Sequence, residues 1–557
     1  MLLMTSFLPA AYAQSPEIPS SAETGRLRDQ LFVPSPRDQS DIVRPDDLFI
    51  DENIPEALGG FVLNKVNLQG VTVFEKDYFD DLIGEYLGRE VDITVLNHLA
   101  ARITQAYRDE GYFLSRAILP QQEIIGGEVK IQVIEGRVGN VIIDDPEQLL
   151  TEDGFRIVSR TIDKIKAVDL FHGPTLERYI LLLNDSAGIS VQSILQEAPP
   201  TAEPGTVDVV LRVNEEPRQI SVSYDNHGSR FVGPHQLSAL YLKGNVLNSF
   251  DQLTLQTSVA VPFSEVTFGA VEYSLPLTEE GLTASVSFSY ANSEPGLSLR
   301  ALEVEGDSVT FETSVSYPVI RLRSESLTIG GAFTLRQSAT EFLDEEFIDD
   351  KTRVLSFFGN YETQDSWGGL DIFNLTFSKG LDFLDATETG MDNLSREQGR
   401  SDFIKLGFEA SRQQDLFPHF QLINAVKAQY TPYPLLSSEE FGYGGATFGR
   451  AYDPSEITGD QGMSTSIELL YTSLDPVPDL DLKLVPFVFY DIGKVWNHDA
   501  GSKPVSGASA GFGTYYDFSQ RVSGAVQVAY PLTRPVDTPV MNGPEGPRIL
   551  FSLSASF

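Results

Sequence analysis

Residues 548–557 alternate almost without fault. Ile549, Phe551, Leu553, Ala555 and Phe557 fall on one side of an extended strand. Arg548, Ser552, Ser554 and Ser556 fall on the other, with Leu550 the exception. A period of two marks a strand with one oily and one wet face. The pattern recurs upstream. Ile220, Val222 and Tyr224 alternate with Ser221, Ser223 and Asp225. Leu253, Leu255 and Val259 alternate with Thr254, Gln256 and Ser258, and Val522, Val526, Val528 and Tyr530 with Arg521, Ser523 and Gln527.

After Pro217 no helical period interrupts this alternation for roughly 340 residues, and aromatic residues cluster near strand ends. A soluble sandwich would also alternate, but length and aromatic placement favour a membrane barrel. In lipid every backbone N–H and C=O must be paired, so a spanning sheet has to close on itself. At about 21 residues per strand and connection, residues 217–557 hold about sixteen strands, each needing about 9–11 residues to cross. The final strand, ending on Phe557, resembles the closing strand of an outer-membrane barrel, which barrel-assembly machinery recognises.

Upstream the period changes. Leu96, Leu99, Ile103 and Tyr107 keep helical spacing, and Gly111 stands where a helix ends. Strands are expected at Phe61–Leu68, Ser115–Leu119 and Val129–Ile134. The order then returns: a strand at Val141–Ile143, helices at Phe155–Ile165 and Leu176–Leu183, and strands at Ile189–Leu195 and Val207–Val213. Two similar α/β units of about 75 residues explain this, with boundaries at 59–136 and 137–216. Residues 14–58 form an N-terminal segment, with a short helix near Ser21–Phe32 and a polar linker after it. Residues 1–13 end in Ala11-Tyr12-Ala13, which fits a signal-peptidase site and predicts export with cleavage after Ala13.

The formal net charge of −39 excludes nucleic acid as a partner, because phosphate binding needs a basic patch. There is no cysteine, so thiol chemistry, disulfides and cysteine-based zinc sites are excluded. The six histidines are scattered without ligand spacing, and no metal or other cofactor is expected. Gly507-Ala-Ser-Ala-Gly511 fits the nucleophile-elbow pattern, but that motif needs a strand–turn–helix context and both flanks read as strands. The chain is not expected to be an enzyme.

The most specific stretch is FGYGGATFGRAYDPSEITGDQGMSTSIELLY, from Phe441 to Tyr471. A Gly-rich segment with a single arginine, Arg450, lies between two strand-like runs. Later comes Val485-Pro-Phe-Val-Phe-Tyr-Asp-Ile-Gly493, in which Leu484, Val488, Tyr490 and Ile492 suit lipid and Phe487, Phe489, Asp491 and Gly493 face the lumen. These paired stretches resemble the sixth extracellular loop and its partner strand in two-partner secretion transporters, the ShlB/FhaC/HecB-type haemolysin secretion/activation proteins. Gly449-Arg450-Ala451-Tyr452 stands where the wider POTRA-barrel superfamily has V-R-G-[FY], with Gly before the arginine and Ala after it as departures. Phe489-Tyr-Asp491-Ile-Gly493 matches F-x-D-x-G fully. Tyr224-Asp-Asn226-His-Gly228, with Gly233 following, resembles the family's first barrel strand. The resemblance spans residue 20 or so to the end.

It implies a Gram-negative outer-membrane pore with its two α/β units, as POTRA domains, in the periplasm. There they would recruit an unfolded exoprotein of the adhesin or haemolysin type through its N-terminal secretion domain, by strand addition. It implies that the loop around 441–463 folds into the barrel and that Arg450 pairs with Asp491; an arginine fork matches a carboxylate. Such a pair can set the conductance state or only stabilise the barrel. Glu468, on the next strand, can join the network or stay a solvated lumen carboxylate. The helix near Ser21–Phe32 resembles the plug helix of some family pores. The rivals are an insertase of the same superfamily, which carries more POTRA units, and a passive porin, which would lack both the α/β repeats and the motif pair.

Overall fold

The computed structural model describes residues 18–31 and 60–557, apart from 147, 169, 216–217, 262–264, 344, 473, 478–480, 500, 519–520 and 538–542. The signal-peptide expectation for 1–13, the linker 33–58 and the predicted helix end at Phe32 lie outside the described residues.

Two α/β units precede the barrel and share one topology. In the first, Lys65–Gln69 pairs in parallel with Glu128–Ile134, which pairs antiparallel with Arg116–Ile118. Helix Ile93–Asp109 lies between them in sequence and turns Leu96, Leu99, Ile103 and Tyr107 into the core. Asp92 starts it by accepting from Val95 N at 2.9 Å. In the second unit, Arg137–Asp144 pairs in parallel with Thr206–Glu215, which pairs antiparallel with Ile189–Glu197. Its helices are Glu152–Lys166 and Gly173–Asn184.

Two expectations need correcting. Phe61–Leu68 is not one strand: it breaks into Phe61–Val62 and Lys65–Gln69 because Leu63 turns fully into the core while its N–H bonds Arg89 O at 3.0 Å. A short helix, Asp80–Gly84, was not anticipated; it is too brief to show a period.

Glu135 ties the end of the first unit back to its start and its helix. Burial pushes its carboxyl up, but Thr72 Oγ1, the Thr72 and Val73 amides and Tyr107 Oη all donate to it and hold it below its ordinary value of 4.5.

Sixteen spanning strands, with a short extra segment at Leu474–Val477, close into an antiparallel barrel. Closure comes from pairing of Arg548–Ser556 with Gln219–Asp225, for example Ser554 opposite Ser223. Oily residues such as Val222, Val488, Ile492 and Leu553 face outward and stay exposed. The inward face carries serines in cross-strand pairs: Ser238–Ser258 at 2.9 Å, Ser308–Ser338 at 3.1 Å and Ser356–Ser378 at 3.0 Å. Val304–Arg321, Glu325–Phe342 and Glu345–Gln364 run to 18, 18 and 20 residues, well beyond the 9–11 that cross a bilayer. Their excess stands clear of the membrane. No helix among the described residues is long and apolar enough to cross one.

The second α/β unit is fastened to the barrel rim. Phe250, in the turn after Gln236–Gly244, is 2% exposed and belongs to that unit's core beside Val158, Ile162 and Leu176. A side chain at Gly154 would come within 3.2 Å of its ring. Ion pairs surround the joint: Lys164–Glu280 at 2.7 Å and Arg321–Asp185 at 2.7 Å.

The inward-folded loop and the occupied bore

Residues 441–459 leave the wall and fold back into the bore. Phe441–Tyr443 and Ile457–Gly459 pair as a small hairpin, Tyr443 opposite Ile457. Barrel pairing resumes at Gln461, so the inward part ends before the expected 463. The tip is glycine-rich for a steric reason. Gly444, Gly445 and Gly449 hold φ of +120°, +114° and +76°, which other residues rarely adopt.

Arg450 hangs from this tip with 5% of its surface exposed. Its Nη1 donates to Glu468 Oε2 at 2.6 Å, and its Nη2 to Ser466 Oγ at 3.0 Å. Asp491 lies against Nε at 3.5 Å and accepts the Arg450 backbone N–H at 3.1 Å. The guanidinium also lies over the Phe489 ring, 3.9 Å from its centroid. Glu468 is thus no solvated lumen carboxylate. It is 5% exposed, makes the shortest bond to Arg450, and accepts from Tyr515 Oη at 2.9 Å. Asp491, fully buried, also accepts from Ser466 Oγ at 2.8 Å and Ser509 Oγ at 3.1 Å. One cation therefore faces two carboxylates on neighbouring strands, Gln461–Tyr471 and Leu482–Trp496.

The departures around the arginine have local causes. Gly449, Gly493 and Gly507 form a flat slot for the buried Tyr443 ring; a side-chain carbon on Gly493 would sit 2.2 Å from Tyr443 Cδ2. Ala451 is wholly buried with Leu470, Phe487, Phe489 and Ala529. Tyr452 is buried too, and its hydroxyl donates to Ala508 O at 3.1 Å. Arg548, on the last strand, pairs with Asp453 at 3.2 Å and donates to Gly228 O at 3.0 Å, tying the tip to the barrel seam.

A second segment shares the bore. The predicted helix is two 3₁₀ turns, Ser20–Ala22 and Thr24–Arg26, and one α-helical turn, Leu27–Leu31. Ala22, Leu27 and Leu31 pack on inward-facing Phe268, Ala291 and Val304. Arg26 pairs with Glu440 at 3.3 Å, Arg28 with Glu312 at 3.2 Å and Asp29 with Arg336 at 3.2 Å. Arg396 pairs with Glu440 at 3.0 Å, Asp460 at 2.5 Å and Asp499 at 2.8 Å, bracing the loop's base.

Ser466, Tyr515 and Tyr443 carry no motif signal in the sequence. Ser509 is the serine of the elbow-like Gly507–Gly511 motif. It lies within strand Val505–Phe518 and serves as a hydrogen-bond donor to Asp491. No cluster that could hold a metal ion is found among the described residues.

Known proteins share this fold. The family described as "Haemolysin secretion/activation protein ShlB/FhaC/HecB" matches residues 205–514, and "POTRA domain, ShlB-type" matches residues 61–136. The heme/hemopexin transporter protein HuxB of Haemophilus influenzae is 24% identical over 437 residues, covering 78% of this chain and 74% of that one. The outer membrane transporter CdiB of Escherichia coli is 25% identical over 559 residues, 96% of this chain and 90% of that one. The solved structure of CdiB from Escherichia coli superposes with a TM-score of 0.70 at 20% identity, covering 93% of each chain. CdiB from Acinetobacter baumannii gives 0.62 at 15% identity, over 95% of this chain and 96% of that one.

Proposed function

The chain belongs to the ShlB/FhaC/HecB family of haemolysin secretion/activation proteins, and from that premise we propose how its bore is kept shut and opened. It is an outer-membrane transporter of the two-partner secretion type, with its POTRA region in the periplasm, and it handles an exoprotein partner through that region. In our reading residues 59–136 and 137–216 are POTRA 1 and POTRA 2, and 217–557 is the pore. The client is an unfolded exoprotein of the adhesin or haemolysin type, engaged through its N-terminal secretion domain by strand addition to an open POTRA edge. Barrel-assembly machinery receives the pore through its last strand.

The observation that carries the bore mechanism is double occupancy. Arg450, with Glu468 and Asp491, fixes the loop against one wall, and Ser20–Leu31 packs against another inside the same bore. The loop is the standing wall of the conduit and the helix is its removable plug. Gly449, Tyr452, Phe489 and Gly493 shape the seat that holds Arg450. Deleting the gene should make one large exoprotein accumulate in the periplasm. In planar bilayers, a protein lacking residues 18–31 should conduct more than the full chain. An unchanged conductance would remove the plug role, and undiminished secretion without the gene would remove the client route.

A further inference from the structure

Where the first barrel strands meet POTRA 2, a cavity of about 500 Å³ remains, its wall including Leu149, Ile189, Glu215, Arg218, Lys243 and Asn245. Pairing fixes which way its cations face. Tyr241 lies opposite Ile220 and Leu242 opposite Gln219, where the pairing ends; Lys243 and Arg218 follow directly beyond it, and both line the cavity. Residues two apart share a face. Arg218 therefore falls on the face of Ile220 and Val222, and Lys243 on that of Tyr241. This is the lipid side, where Val222 is 37% exposed. The two cations sit just below the apolar band, where the barrel leaves the membrane for the periplasm.

Like charges side by side on adjacent strands repel. Elsewhere along this joint the cations are matched by carboxylates: Lys164 by Glu280, Arg321 by Asp185 and Arg323 by Glu177. Among the described residues neither Arg218 nor Lys243 forms an ion pair, although carboxylates far outnumber cations in the chain. Both are exposed, so their charged ends are open to an anionic ligand. The cavity also offers Glu215 on the same wall, a negative group suited to a second, positive end of the same ligand.

We propose that this cavity binds the headgroup of a glycerophospholipid carrying an ammonium beyond its phosphate. The phosphate lies between Arg218 and Lys243, the ammonium faces Glu215, and the acyl chains run along Ile220, Val222 and Tyr241. Free phosphate shares the anion chemistry but uses neither Glu215 nor the apolar face. A bound lipid would bridge the barrel to Leu149 and Ile189 of POTRA 2.

The test uses the full chain in detergent, exposed separately to phosphatidylethanolamine, phosphatidylglycerol and inorganic phosphate, with bound molecules counted by native mass spectrometry. Phosphatidylethanolamine should be retained in preference to phosphatidylglycerol. Losing each cation should weaken retention roughly fivefold, and Arg218→Gln with Lys243→Gln about twentyfold. Glu215→Gln should erase the preference between the two lipids while leaving binding. Equal retention by the double variant overturns the site. Retention of inorganic phosphate without lipid overturns the lipid as ligand, and no preference in the unaltered protein overturns the headgroup assignment. Heat-modifiable gel migration reports that each barrel is folded. Should the double variant not assemble, Lys243→Gln alone, at an exposed position, gives the same comparison.

Discussion

Two segments fill one bore, and they differ in what they would leave behind. If the loop tip withdrew, Glu468 and Asp491 would stay in the wall as buried carboxylates with only hydroxyl donors: Tyr515 for the first, Ser466 and Ser509 for the second. If the helix withdrew, its partners would keep others. Glu440 retains Arg396 at 3.0 Å and Arg336 retains Ser438 O at 3.2 Å, while Glu312 keeps only the Thr334 hydroxyl at 3.1 Å but is already 29% exposed. Stranding a buried charge is among the costliest changes a fold can suffer. The wall is therefore built to lose the helix and to keep the loop.

The largest expected effect tests the loop side. Arg450→Ala strands both carboxylates, and breaking a buried pair typically costs about 3–5 kcal/mol. Secretion should fall by more than about tenfold, and the barrel should unfold at lower temperature. Exchanging the charges, Arg450→Glu with Glu468→Arg, should recover part of the loss. If the exchange is no better than either single change, the ion-pair account fails. Reversal of Arg450 and Asp491 together should recover less, because Asp491 also accepts the Arg450 backbone N–H and the Ser466 and Ser509 hydroxyls, which an arginine there cannot do.

Next in size is the aromatic slot. Gly493→Ala places a carbon against Tyr443 and should cost about 1–3 kcal/mol as overpacking. Adding Tyr443→Ala should relieve that clash, so the two changes should be less than additive in thermal unfolding. Full additivity would mean that the ring does not sit on Gly493.

Smaller still is the helix. Removing residues 18–31 should raise conductance severalfold and lower the barrel's unfolding temperature by only a few degrees, far less than Arg450→Ala. A drop as large as that of Arg450→Ala would erase the contrast between the two occupants.

The smallest effect lies outside the bore and serves as a control. Glu135 is held below its ordinary value in the folded state, so its contribution is present above about pH 4.5 and is lost as pH falls through the lowered value. Acid should loosen POTRA 1, seen by hydrogen exchange in Ile93–Asp109, and Glu135→Gln should remove that part of the pH dependence. Bore conductance should not follow it.

Much of the architecture is legible in the chain because it is periodic. Alternation of two announces the barrel wall, and the return of one strand–helix order announces paired α/β units. Arg450 and Asp491 stand out through motif resemblance rather than through period. What stays hidden is whatever depends on register between distant segments. Glu468 reads as one more polar residue on an inward face until Gln461–Tyr471 is set beside Leu482–Trp496, where Ser466 falls opposite Asp491. Gly449, Gly493 and Gly507 look like three unrelated glycines, because the ring that needs all of them comes from a fourth place. Phe250 reads as an aromatic at the end of a membrane strand, and nothing local says that it completes another domain's core.

That last residue carries a consequence for biogenesis. Phe250 is supplied by the hairpin of the second and third barrel strands and held at φ +58°, in a turn whose shape is set by the strands on either side. Until that hairpin exists, the adjoining periplasmic unit has an aromatic-sized hole at its centre. A newly exported chain would thus carry an unfinished docking module, and client capture would ripen only as membrane insertion begins.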